Sequence, residues 1–446
     1  MSDTTNKTSR RDFLKTTTRF AAGSALAAAI GTRIYAAENN TINLALVGCG
    51  GRGTGAVADA FAAKGGPVKL IAMADVFENR LKGSYNSLNT AFAEKVDVPE
   101  DRRFVGFDAY KKAIDCLRPG DVVILATHAA FRPLHFEYAV SKGVNIFAEK
   151  SFGTDPPNVR RWLKAAELSE KKKLKVGVGF MWRHSESREQ VVERIHNGAI
   201  GEVHTMRIYR VHGPVQCPPR PEGSEVAFQL QYPNSFTWVS SGFYIDWHCH
   251  NIDTACWVKG AWPVSAQGMG GRCYDHAGSQ FDHYTVEYTF DDGTKLFTFS
   301  RHMDNCWSTY ADYAHGSKGS AVIMATLGEP ESKIYKSQKM TPENLVWQYG
   351  KKDPNPYHVE WQLLLDAIRQ DKPHNEATRA GQAEIAALMG RAATHTGQYI
   401  TWDQIANSDF QFVKDIDNLN FDTPAPIHAE VGQIYQPPQP GITKEC

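Results

Sequence analysis

The 446-residue chain lacks three things, and each absence narrows what it does. No uninterrupted apolar stretch approaches the ~18 to 20 residues that a bilayer span requires; the best candidate, Phe20 to Ile30, is roughly half that, so no membrane span is expected. There is no excess of charge, with 49 Lys and Arg against 49 Asp and Glu, which argues against a polybasic nucleic-acid binder. There is no C-x-x-C pair either. The eight cysteines, Cys49, Cys116, Cys217, Cys249, Cys256, Cys273, Cys306 and Cys446, are scattered and read mostly as small buried side chains, with no metal site predicted. With 42% hydrophobic and 22% charged residues, the chain has the composition of packed cores, not of a disordered segment.

The neutrality divides unevenly. Residues 1–37 hold six basic residues and two acids, leaving 43 against 47 in the remainder. In that segment Ser9-Arg10-Arg11-Asp12-Phe13-Leu14-Lys15 precedes the short Ala-rich apolar run, and Ile34-Tyr35-Ala36-Ala37 follows it with small residues suited to signal peptidase. The pattern resembles a twin-arginine export signal. It predicts a periplasmic protein that the twin-arginine export machinery carries already folded, with any cofactor inserted beforehand.

From about residue 41 the chain alternates. Ile42 to Val47 has strand length and apolarity; Gly48-Cys49-Gly50-Gly51-Arg52-Gly53 follows, then an Ala-rich helical stretch from Thr54 to Lys64, then the apolar run Val68 to Ala74 ending in Asp75. Strand, G-x-G-x-x-G turn, helix, strand and acid form the dinucleotide-binding pattern. Gly48 permits the tight turn, Gly50 the approach of a pyrophosphate, and Gly53 close packing of helix on strand, while the helix N-terminus offers unpaired N–H groups. Asp75 is placed to accept from ribose hydroxyls, which favours NAD; Arg52 keeps NADP open.

Strands at Asp121 to Ala126, Asn145 to Ala148 and Leu174 to Phe180, with helices at Arg132 to Lys142 and Pro156 to Lys172, continue the alternation. The predicted fold is α/β: a doubly wound parallel sheet of Rossmann type over about 41–155, with a crossover helix and strand to about 180. Beyond it, a helix at Glu186 to Asn197 and strand-like runs at Val203 to Val211, Val264 to Met269, Thr285 to Phe290, Lys295 to Ser300 and Ala321 to Met324 predict an α+β domain over about 181–415. Its large sheet is mostly antiparallel, with Asp291-Asp292-Gly293 as a hairpin turn. Helices at Tyr357 to Arg369 and Glu376 to Thr396 pack back onto the body, and a Pro-rich tail, 416–446, wraps the surface.

Two constellations carry candidate chemistry. Ala148-Glu149-Lys150 ends a sheet strand, where open α/β sheets place ligands. In Asp246-Trp247-His248-Cys249-His250-Asn251-Ile252-Asp253 a helix puts Asp246 and His250 on one face with Asp253 close behind, so a carboxylate would orient an imidazole and raise its basicity. His248 and His250, two apart, diverge on a helix and make a poor metal pair. Trp182, Arg183, His184, Trp238, Tyr244 and Trp307 are candidates for contacting a polar ring.

Taken together, G-x-G-x-x-G, Asp75, Glu149-Lys150, Arg183 and Asp246-x-x-x-His250-x-x-Asp253 resemble the Gfo/Idh/MocA family of pyridine-nucleotide-dependent sugar oxidoreductases, over roughly residues 41–402. The resemblance implies Lys150, His250 and Asp246 as catalytic residues. It implies cofactor contacts from Gly48, Gly50, Gly51, Arg52, Gly53, Asp75, Thr127, Glu149 and Lys150, and substrate contacts from Trp182, Arg183, His184, Asp246 and His250. Three places depart from the family pattern: Ser151 replaces a proline, Thr127, His128, Ala129 and Arg132 replace a Thr-Pro-Asn-x-x-His stretch, and His248 replaces a glycine. The function implied is hydride transfer between a tightly bound NAD and a sugar or polyol. A glycoside hydrolase working through transient oxidation, elimination, hydration and re-reduction is the alternative, and a non-catalytic sugar sensor a second. The expected partners are a sugar or glycoside substrate and further copies of the chain.

Overall fold

The computed structural model describes residues 41–274, 278–325 and 332–446; the export-signal segment lies outside the described residues. The first half builds a sheet from β1 (Ile42–Val47), β2 (Val68–Asp75), β3 (Arg103–Val105), β4 (Val122–Leu125), β5 (Asn145–Ala148) and β6 (Val176–Val178). All pairs are parallel, in the order β3-β2-β1-β4-β5-β6. Their connections are α1 (Gly51–Ala62), α2 (Glu78–Phe92), α3 (Ala109–Asp115), α4 (Arg132–Lys142) and α5 (Pro156–Lys171). Strands β4 and β5 are buried throughout because helices cover both faces.

One of those faces is closed by a helix from far along the chain. After α6 (Glu186–His196), β7 (Val203–His212), α7 (Glu225–Gln231), α8 (Thr237–Ser240) and α9 (Gly242–Lys259) comes a run of strands: β8 (Ser265–Gly271), β9 (His283–Thr289), β10 (Lys295–His302), β11 (Thr309–Gly316), β12 (Ser320–Met324), β13 (Lys333–Tyr335) and β14 (Leu345–Gln348). Then α10 (Pro356–Arg369) returns to the first sheet, where Trp361 stacks on Phe147 with ring centroids 4.4 Å apart. The chain continues through α11 (Ala377–Thr396), β15 (Ile400–Thr401) and α12 (Trp402–Asn407).

The second sheet has nine strands in the order β14-β13-β12-β11-β7-β10-β9-β8-β15, antiparallel except for the β7–β10 pair. Burial alternates along β10, as expected where one face is packed and the other is open. Helices α9 and α11 lie on the packed face. Helix α11 is buried almost all round, because it is wedged between this sheet, α9 and α5. The expected strand at Leu174 to Phe180 shortens to β6, since Phe180 turns out into a 3-10 segment, Met181–His184. The sequence reading also missed β3, α2 and α3 in the first half, β11, β13, β14 and β15 in the second sheet, and the short helices α7, α8 and α12.

The tail does more than wrap the surface. Tyr435 is fully buried, and with Ile416 and Leu419 it packs against Phe228, Phe236 and Trp238 of the α7–α8 segment. Near the end of the chain the buried Glu445 pairs with Arg391 at 3.0 Å and His395 at 2.6 Å. All eight cysteines are free, four of them buried.

Candidate functional site

The C-terminal edge of the first sheet opens into a cleft of about 450 Å³, within the usual range for a ligand pocket. Its floor is the glycine turn. Gly48 has φ +98°, and a Cβ there would stand 2.6 Å from the Ala126 carbonyl carbon, so only glycine fits. A Cβ on Gly53 would lie 1.9 Å from the Gly48 oxygen, whereas Gly50 and Gly51 face open space. Helix α1 starts at Gly51 instead of the expected Thr54, and so aims its unpaired N–H groups into that opening.

Asp75 ends β2 on the cleft wall. Its carboxylate accepts from the backbone N–H of Cys49 at 2.6 Å and of Phe77 at 2.8 Å, which locks the acid to the glycine turn. Burial raises its pKa despite those bonds. Arg52, the residue that keeps NADP open, is engaged by Glu149 at 2.9 Å and by Asp59, and its guanidinium lies over the Tyr357 ring at 4.7 Å. The cation whose charge does act on Asp75 is Arg80, which the sequence reading did not single out.

Thr127 and His128, after β4, and Glu149 and Lys150, after β5, form the opposite wall. The buried Arg132 ties the two loops together by donating to the carbonyl oxygens of Thr127 and Ser151. The far wall comes from the second half of the chain: Leu230, Pro233, Asn234 and Ser240 line the cleft. His128 Nε2 meets the Leu230 carbonyl at 3.0 Å, and the Ala130 N–H donates to the Val239 carbonyl at 3.1 Å. Phe421 of the tail packs against the cleft residues Phe77 and Phe107, at 5.7 and 4.9 Å between centroids. No motif announces this wall; it arises only from tertiary packing.

Where the two halves meet, Lys150 Nζ bonds Asp246 Oδ1 at 2.9 Å and also the Asp246 carbonyl oxygen. Burial alone would depress this lysine, but the Asp246 carboxylate more than offsets it, and its pKa lies above the ordinary value. The ammonium therefore stays charged. His250 follows one turn along α9, as the spacing requires, but the expected Asp246–His250 hydrogen bond is absent, because the carboxylate is taken by Lys150. His250 Nδ1 is buried without a partner, and its ring packs edge-on to Phe180 at 5.7 Å. Burial, with the charges of Lys150, Arg210 and Arg188, drives its pKa well below 6.5. The expectation that a carboxylate raises its basicity is thus overturned: this imidazole is neutral, with a free lone pair, and a weaker base than an ordinary histidine.

The other expected substrate residues separate. The Arg183 guanidinium bonds both oxygens of Asp253, at 2.7 and 2.9 Å, and stacks over Trp257. Arg379 joins the same carboxylate at 3.2 Å, and Glu376 links Arg379 to His184. Arg183 and His184 therefore belong to a closed internal network, since the Asp253 carboxylate is too deeply buried to stand without both arginines. Trp182 lies against Arg188 and near Tyr310. Trp238 and Tyr244 are buried in the core, and Trp307 is 66% exposed on the open face of the second sheet. His248 is buried against Ser300, its pKa pushed down to about 3 by burial and Arg210.

Known proteins share this architecture. Residues 189–322 match the family model described as the GFO/IDH/MocA C-terminal domain. A curated relative, the rhizopine catabolism protein MocA of Rhizobium meliloti, is 24% identical over 211 residues, which span 46% of this chain and 61% of that protein. Among solved structures, myo-inositol 2-dehydrogenase of Lactobacillus plantarum aligns with a TM-score of 0.60 at 20% identity, over 81% of this chain and 99% of that one. Scyllo-inositol dehydrogenase of Lactobacillus casei, solved with NAD(H) and scyllo-inositol, gives 0.59 at 19% identity over 82% and 100%. Aldose-aldose oxidoreductase of Caulobacter crescentus, solved with glycerol, gives 0.61 at 15% over 81% and 100%. The fold is that of these two-domain oxidoreductases.

Proposed function

We propose that this chain is an NAD(P)-dependent oxidoreductase that removes hydride from a CH–OH group of a sugar or polyol, with NAD the preferred nucleotide, held tightly in the cleft. The observation that carries the reading is a charged lysine on the wall of a glycine-floored cleft, held by Asp246, with a neutral histidine one turn further along the helix that carries Asp246. The cleft residues fit a dinucleotide: an open cradle at Gly50 and Gly51, the α1 N-terminus for a pyrophosphate, and Asp75 for ribose hydroxyls. When bound there, the nicotinamide supplies the hydride acceptor. His250 accepts the hydroxyl proton on Nε2, the edge left open by its buried Nδ1. Lys150 donates to the oxygen as it becomes a carbonyl, and Asp246 holds that lysine in place. The inositol dehydrogenases and the aldose-aldose oxidoreductase that share the fold support the substrate class.

The Arg10-Arg11 segment supports export of the folded holoprotein to the periplasm, and the wall built from α7, α8 and the tail supports a retained nucleotide. Half-exposed aromatics on the second sheet, such as Tyr209 stacked on Phe299, support assembly into a homo-oligomer. To test the reading, the nucleotide content of purified protein is measured, and sugars, polyols and aryl glycosides are then offered separately. A change in the reduced-nicotinamide absorbance with free sugars supports it. Aglycone release without net reduction replaces it with the redox-neutral hydrolase, and no response to either class rejects both.

A further inference from the structure

Two of the charges that act on His250, Arg210 and Arg188, belong to a cluster that the hydride-transfer residues do not use. Arg210 of β7 is paired in register with Tyr310 of β11 on the packed face of the second sheet. Its guanidinium lies 4.4 Å from the Tyr310 ring centroid and 5.8 Å from that of Trp247 on α9. It is half-buried, its Nε is buried without a partner, and among the described residues no carboxylate forms an ion pair with it. Arg188 is 1% exposed and stacked 3.7 Å over Trp182, with Ser185 Oγ at 3.3 Å as its one side-chain hydrogen-bond partner among the described residues and Nε and Nη2 unsatisfied.

The charges that act on His250 are all positive. Lys150, Arg188 and Arg210 all act on its imidazole. The Asp246 carboxylate is held by Lys150. Two further acids act on Arg188: Asp312, which accepts from Asn251 at 2.6 Å and whose pKa burial raises to about 6, and Asp353, which accepts from Ser185 and Ser187. Neither acid forms an ion pair with Arg210, and a carboxylate arriving with a ligand would supply one. A guanidinium flanked by two aromatic rings presents its edge, the geometry that grips a planar carboxylate through two parallel hydrogen bonds.

We infer that Arg210, with the charge of Arg188 behind it, forms a carboxylate subsite, and that the substrate is an acidic sugar of the aldonate or uronate class. Its carboxylate sits on Arg210 while a ring or chain hydroxyl faces His250. This rests on the oxidoreductase reading for the hydroxyl but not for the carboxylate.

The test is calorimetric binding to the nucleotide-loaded holoprotein of D-gluconate, D-glucitol and D-glucitol 6-phosphate, with turnover followed separately. Gluconate should bind about 30-fold more tightly than glucitol, the scale of a hydrogen-bonded charge contact. Arg210→Gln should abolish that preference, and Arg210→Lys, which keeps the charge but loses the fork, should restore part of it. Circular dichroism and nucleotide content check that both variants fold; should Arg210→Gln not fold, the wild-type preference and Arg210→Lys decide. Equal binding of gluconate and glucitol, binding of neither, a preference that Arg210→Gln leaves intact, or tighter binding of the phosphate would overturn the inference. Turnover of neutral polyols without acid preference removes the subsite and leaves the oxidoreductase. Gluconate binding with no hydride transfer on any sugar does the reverse.

Discussion

Helix α9 carries two aspartates two turns apart, and they serve opposite purposes. Asp246 has 17% of its side chain exposed and holds one lysine on the wall of the cleft; Asp253 is 2% exposed and holds two arginines away from it. In sequence both stand in the same short run and pair with a basic residue far away. The difference is depth. A carboxylate at the rim keeps its partner available to a ligand, whereas a carboxylate in the core must be fully answered from within the protein. Arg183 and His184, expected to touch substrate, fall on the sealed side of that line.

The comparison is broken most directly by removing one partner from each side. Lys150→Met should lower kcat by about 10² to 10³-fold, the effect of losing a donor to developing charge, with nucleotide still bound. His250→Asn should fall in a similar range, about 10² to 10⁴-fold, for a lost proton acceptor. Steady-state and single-turnover rates check both; an unaffected rate in either variant would remove that residue from the chemistry. Asp253→Asn should instead lower the unfolding free energy by about 3–5 kcal/mol, because two buried guanidiniums lose their counter-charge, and a denaturant midpoint reads it. A stable Asp253→Asn protein with poor kcat would place the sealed network in the active site after all.

A smaller effect concerns the wall. Phe421→Ala removes the ring packed on Phe77 and Phe107 and should speed nucleotide release by about tenfold, a loss of ~1.4 kcal/mol, measured by dilution into a nucleotide scavenger. Unchanged retention would show that the tail only braces α7.

The smallest expected effect is in the pH dependence of stability. Burial pushes His128 and His212 down to about 4, and His135 and His248 down to about 3, while His250 is also lowered. Each imidazole protonates in the unfolded chain below about 6.5 but not in the folded one, so stability is lost as pH falls through that window. Burial raises Glu384 to about 8 and Asp312 to about 6, and also raises Glu360. These acids act in the opposite sense, adding stability as pH falls through their folded values. Among these eight groups the acids act without the imidazoles above 6.5, and below it the five imidazoles outnumber the three acids, so the urea midpoint should peak near pH 6.5. A midpoint still rising at pH 5 would contradict the imidazole assignment.

The first half of the fold was legible because its signals are local. The glycine turn, the alternation of short apolar runs with helices, and Asp75 at a strand end each report one connection. The positions of Asp246 and His250 were legible for the same reason, since helical spacing sets them. Their hydrogen bonds were not: whether Asp246 turns to His250 or to Lys150 is decided between elements nearly a hundred residues apart. The α7–α8 wall and the anchoring of the tail were hidden likewise, because residues such as Phe421, Tyr435 and Glu445 acquire meaning only once the tail is docked. Arg80, Arg188 and Arg210 carried no motif, and only their buried nitrogens without hydrogen-bond partners single out the last two.

The central claim is that Lys150 and His250 move a proton beside a retained nicotinamide nucleotide. Its most direct measurement is a single-turnover assay of the protein as purified, with no nucleotide added, followed by denaturation and identification of what is released. The account predicts stoichiometric NAD(H), a change in its redox state on adding a sugar or polyol substrate, and loss of that change, but not of the nucleotide, in His250→Asn. Protein that releases no nicotinamide nucleotide, or a redox change that persists in His250→Asn, would contradict it.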